Sequence, residues 1–99
     1  MTRLLVDTSS DYLVIVIAKD NTVIASQLIY AGKKMSELLL EQVDNILKSV
    51  ELSIDNIDEF YAGIGPGSFT GVRIGVALVL GLSSGKIYSL VLIDFSKSS

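Results

Sequence analysis

The sequence predicts a single α/β domain on a mixed, five-stranded sheet, with elements in the order βββαβαβ. Two observations carry that reading. Three strand-like runs come first, the second and third joined by a two-residue turn; then two stretches with apolar residues at helical spacing alternate with two further short apolar runs. A tight turn returns a strand antiparallel, whereas a helical crossover returns it parallel, so both directions meet in one sheet. The chain has 99 residues, 49% of them hydrophobic, enough for one core that buries about two thirds of the unfolded surface.

Arg3 to Thr8 is the first strand. Asp11 to Lys19 is the second, and its run Leu13-Val14-Ile15-Val16-Ile17 is apolar on both faces, as an interior strand requires. Asp20-Asn21 turns the chain, because both residues tolerate left-handed backbone angles, and Thr22 to Tyr30 returns as the third strand. Ser36 is the expected cap of a helix running to about Val50, with a stripe of Leu39, Val43, Ile46, Leu47 and Val50 that Leu38 and Leu40 widen. Ser53 caps a short turn through Ile57, and Phe60 to Ile64 forms the fourth strand. A helix from Phe69 to Ser84 and a strand from Ile87 to Ile93 complete the domain, expected to span 1–94, with 95–99 a frayed tail.

The densest information lies in Gly63-Ile64-Gly65-Pro66-Gly67-Ser68-Phe69-Thr70-Gly71-Val72-Arg73-Ile74-Gly75, a strand end, a glycine-rich turn and a helix start in one stretch. Ser68 can accept hydrogen bonds from the first free amides of that helix. Inside it, Gly71, Gly75 and Gly81 each cost about 1 kcal/mol against alanine, so something has to offset roughly 3 kcal/mol, and close backbone approach is the obvious candidate. Successive amides at such a turn suit an anion. The known phosphate signatures fail, however: Thr70 stands where a dinucleotide loop needs its third glycine, and Gly85-Lys86 is followed by Ile87 where a P-loop needs Ser or Thr. Packing is therefore preferred over anion binding.

Eight basic against eleven acidic residues give a net charge of −3, and no basic run is longer than Lys33-Lys34, so direct nucleic-acid binding is not expected. Cysteine and histidine are both absent, which removes disulfides, thiolate chemistry, imidazole bases and the usual zinc or iron ligand sets. No catalytic residue, metal ligand or cofactor is assigned. The longest apolar stretch, Ile74 to Leu82, falls short of the ~20 residues that cross a bilayer, and Met1-Thr2-Arg3 does not open a secretion signal; a cytoplasmic setting is the expectation.

Leu4-Leu5-Val6-Asp7-Thr8-Ser9-Ser10, followed much later by Gly65-Pro66-Gly67-Ser68-Phe69-Thr70-Gly71-Val72-Arg73-Ile74-Gly75, resembles the N-terminal domain of the bacterial TsaB (YeaZ) family. The likeness runs from about Arg3 to Leu92 and implies an RNase H-like domain of the actin, sugar kinase and Hsp70 superfamily. It implies a non-catalytic paralogue of TsaD that takes part in making threonylcarbamoyladenosine in tRNA by pairing with TsaD, with the ATPase TsaE joining the assembly. It also implies that two domain helices form the pairing surface, for TsaD and for a homodimer alike. The chain departs from the family at Met35, where relatives often carry histidine, and in the run Leu90-Val91-Leu92-Ile93-Asp94. The family's second domain is expected to be absent.

On this reading the partner surface comprises Leu39, Leu40, Val43 and Leu47 of the first helix and Gly71, Val72, Arg73, Gly75, Val76 and Val79 of the second. Gly71 and Gly75, four residues apart, would admit a second backbone, and Arg73 could reach a carboxylate at the rim; the alternative for this helix is a core helix covered within its own domain, and the interface is preferred. Asp7, Thr8, Ser9, Gly65, Gly67 and Ser68 are the residues nearest to a phosphate or nucleotide, if one binds. Asp and Ser also cap local amides, so the alternative for Asp7 to Ser10 is a plain turn, which is preferred. The competing function is half of a nucleotide-using phosphotransferase, with Asp7 as metal ligand and Gly65 to Gly67 as phosphate cradle.

Overall fold

The computed structural model describes residues 1–65, 69–82 and 90–94. Strands β1 (Thr2–Asp7), β2 (Tyr12–Lys19) and β3 (Thr22–Tyr30) form an antiparallel meander. Its tight turn is made by Asp20 and Asn21 at φ 51° and 67°, the left-handed pair that matches the twist of a two-residue hairpin. Asp20 also accepts a 2.6 Å hydrogen bond from the Met1 ammonium, which ties the N-terminus to this end of the sheet and holds the Asp20 carboxyl below its usual range.

Helix α1 (Met35–Ser49) carries the chain back across the sheet to β4 (Glu59–Gly65), which lies parallel to β1, and α2 (Phe69–Leu82) leads to β5 (Leu90–Asp94), parallel to β4. The strand order is β3-β2-β1-β4-β5, a mixed sheet. Both helices lie on one face and touch each other. Alternation does the sorting: Leu4, Val6, Leu13, Ile15, Ile17, Phe60 and Ala62 point under the helices and are fully buried. Met35, Leu39, Val43, Ile46 and Leu47 of α1 close over them, with Ile74, Val76 and Leu78 of α2 packed alongside. Each large side chain buried this way contributes about 1.5–3 kcal/mol.

Helix α1 begins one residue before Ser36, with Lys34 at the N-cap position and no side-chain cap, so the expected capping role of Ser36 is corrected. The reason is a single 3-10 turn, Gly32–Lys34, which delivers the chain already wound into the helix. At the other end Glu51 takes φ 58° while its N–H and that of Leu52 bond back to the Lys48 and Leu47 carbonyls, a Schellman stop without glycine. Ser53 does open a short turn, Ile54–Asn56, where its N–H donates to Asn56 Oδ1 at 2.8 Å. Among the described residues, no helix is long and apolar enough to cross a membrane.

Candidate functional site

Two regions gather the residues singled out from the sequence. The first is the C-terminal tip of β1. Asp7 Oδ1 accepts hydrogen bonds from the Ser9 N–H at 2.9 Å and the Ser9 hydroxyl at 2.7 Å, so the carboxylate caps its own turn. Thr8 is fully buried and Ser9 nearly so. Gly63 of β4 lies in register with Asp7, and a Cβ there would stand 2.7 Å from Asp7 Cγ. From the helix side Gly75 of α2 presses on Thr8, and a Cβ there would overlap the Thr8 hydroxyl. The two glycines let a strand and a helix close on the tip from both sides. Gly65 ends β4 opposite Asp94. Gly67 and Ser68, with the expected Ser68 cap, lie outside the described residues.

The second region is the pair of helices. Leu39, Val43 and Leu47 are 1–4% exposed and belong to the chain's own core, so their expected role in meeting a partner is corrected: α1 has its apolar stripe filled by the sheet. Gly75 is corrected in the same way, because its close neighbour is Thr8 of this chain and no second polypeptide is needed to explain it. Val76 packs at the core margin and Val72 is half-buried. Leu40 remains 58% exposed on α1 and Leu80 51% exposed on α2. Arg73, Ala77, Leu80 and Gly81 follow one another at helical spacing and are all exposed, so they form the outward strip of α2. The surroundings of Gly71 and Val79 lie outside the described residues.

Sequence reasoning missed Ala77 and Leu80. The signal was available, since both lie on the Arg73 side of the helical wheel. Nor did it pair Arg3 with Glu59. Their side chains meet at 2.6 Å on the sheet face away from the helices, Tyr61 donates to the same Glu59 oxygen at 3.1 Å, and the Arg3 hydrogen bond holds the Glu59 carboxyl below its ordinary range. Among the described residues, no three of His, Cys, Asp and Glu lie together as metal ligands would.

The family model described as "TsaD: tRNA N6-adenosine threonylcarbamoyltransferase" matches residues 23–94. The tRNA threonylcarbamoyladenosine biosynthesis protein TsaB of Bacillus subtilis is 37% identical over 78 residues, which cover 79% of this chain and 34% of that protein. TsaB of Escherichia coli is 34% identical over 85 residues, 86% of this chain and 36% of that protein. The chain belongs to the TsaB (YeaZ) family. A solved YeaZ structure from Pseudomonas aeruginosa superposes with a TM-score of 0.86 at 26% identity, covering 94% of this chain and 43% of that one. The fold is thus the YeaZ-like member of the actin, sugar kinase and Hsp70 group. The chain spans about a third of the length of these curated TsaB relatives.

Proposed function

We propose that this chain serves threonylcarbamoyladenosine formation in tRNA as a non-catalytic assembly subunit that pairs with TsaD through the outward face of its helices. The observation that supports the reading most is the strip of α2. Arg73, Ala77, Leu80 and Gly81 offer an apolar, small-residue surface with one cation at its edge, and a partner helix can lie close to such a surface. Leu40 extends the exposed apolar surface to α1. The names of the relatives supply the pathway. A sequence without histidine or cysteine supports leaving the chemistry to the partner. TsaE would join the TsaD complex, and a homodimer would compete for the same strip.

The test is sedimentation of the chain mixed with the TsaD of the same cell, for the wild type and for Leu80→Asp. The reading expects a one-to-one complex that Leu80→Asp weakens at least about tenfold, while its melting temperature stays unchanged because Leu80 is half-exposed. Absence of a complex, or an equally tight one with Leu80→Asp, refutes it.

A further inference from the structure

Exposure on the helix-free face of the sheet rises toward one edge. Leu5, Val14, Val16 and Ala18 on the interior strands β1 and β2 are half-buried by their neighbours. On β3, Val23, Leu28 and Tyr30 are 61%, 68% and 65% exposed. Leu28 stands opposite Val14, and Tyr30 opposite Tyr12, against which its ring packs edge-on at 5.4 Å. Among the described residues, no strand lies on their outer side. The helix-side face of the same edge is unfilled as well. Between β3 and α1 runs a groove of about 250 Å³ lined by Ala25, Ser26, Gln27, Asn45, Ile46 and Ser49.

One kind of occupant fills both vacancies, because an added strand presents side chains alternately to the two faces and bonds the free backbone edge between them. Natural edge strands are usually protected by charge, proline or bulges. Thr22–Tyr30 holds no charged residue and no proline. Its single irregularity sits near the start, where Ile17 pairs with Ala25 and Ala18 with Val23, and it leaves Ala25–Tyr30 regular. The charge of the chain, −3 overall, lies entirely off this strand. Two copies can therefore bring the same edge together without like-charge repulsion, and an antiparallel pair about a two-fold axis covers both edges at once.

We infer that β3 is a self-pairing edge, through which two copies of this chain join their sheets antiparallel along Ala25–Tyr30. The partner's β3 supplies the missing neighbours of Ser26, Leu28 and Tyr30 on the helix-free face, and its polar side chains meet Gln27, Asn45 and Ser49 across the groove. A contact this short falls below the usual size of a permanent interface, so a dissociation constant of about 10–100 µM is expected. The surface is distinct from the α2 strip, so both contacts can form on one molecule.

The test is sedimentation equilibrium of the 99-residue chain to about 500 µM, joined to amide exchange at low and high concentration. The expected result is a monomer–dimer equilibrium, with exchange in Ala25–Tyr30 slowing as concentration rises. Leu28→Lys and Tyr30→Lys, each at a side chain about two-thirds exposed, should weaken the dimer at least about tenfold and keep the wild-type circular dichroism. Leu80→Asp should leave this dimer intact. A monomer at every concentration overturns the inference, and so does a dimer that survives both β3 variants or that Leu80→Asp dissolves.

Discussion

Gly75→Ala is the most discriminating perturbation of this fold, because two effects of opposite sign meet at one methyl group. In an open helix the change would add about 1 kcal/mol of stability, since glycine is the poorer helix former. Here the new carbon overlaps the Thr8 hydroxyl, and the full burial of Thr8 at the end of β1 resists the shift that would relieve the overlap. Overpacking of this kind costs about 1–3 kcal/mol, and the depth of the overlap places it at the upper end. The net expectation is a loss of about 2 kcal/mol, or a melting temperature lower by about 10 °C in a domain of this size. Urea unfolding monitored by circular dichroism measures it, in wild-type and Thr8→Ala backgrounds. Thr8→Ala removes the hydroxyl but keeps Cβ, which lies at an ordinary 3.5 Å from the added carbon. In that background Gly75→Ala should recover the helical gain, for a coupling of about 2–3 kcal/mol. A stabilised single variant, or an equal loss in both backgrounds, would refute the reasoning.

Gly63→Ala should also destabilise, by about 1–3 kcal/mol, because the added carbon comes 2.7 Å from an Asp7 side chain that Ser9 already fixes; a shift in the urea midpoint checks it. Glu59 titrates below its ordinary value of 4.5, chiefly through the Arg3 hydrogen bond, so the folded state binds fewer protons than the unfolded one there. Its contribution is complete above that value and disappears as pH falls through the depressed one; a pH series of melting temperatures should show a shallower acid slope for Glu59→Gln. Glu51→Gly should raise stability by about 0.5–1 kcal/mol, since Glu51 holds φ 58° where glycine carries no Cβ penalty, and thermal melting reads it directly.

Much of the fold was legible because local signals agreed. Both-faces-apolar Leu13 to Ile17 marked an interior strand, Asp20-Asn21 marked the hairpin, and β3 and the start of α2 fall at the residues expected. Boundaries failed where tertiary structure supplies what a side chain was expected to supply, as at Ser36, which a preceding 3-10 turn makes unnecessary as a cap. The site was legible in part. Glycine inside an apolar helix announced a close approach, but a periodicity cannot say which surface approaches, and the answer at Gly75 lies in Thr8, more than sixty positions away along the chain. Leu39, Val43 and Leu47 were indistinguishable from Leu40 by residue type alone; only their placement over the sheet separates core from surface.

That separation changes what α2 can be asked to do. Its inward side, Ile74, Gly75 and Leu78, is committed to the sheet, and Gly75 is committed most tightly of all, so the helix cannot slide or rotate to meet a partner without driving a neighbouring side chain into Thr8. Any partner docking on α2 would therefore meet a helix of fixed orientation, on which Arg73, Ala77, Leu80 and Gly81 are the exposed positions among the described side chains. Rigid presentation lowers the ordering cost of association. The same glycine that was read as the seat of a second polypeptide thus acts one step earlier, by locking the helix that carries the exposed strip. Perturbing Gly75 should reach assembly only through stability, whereas perturbing Leu80 should reach assembly with stability unchanged.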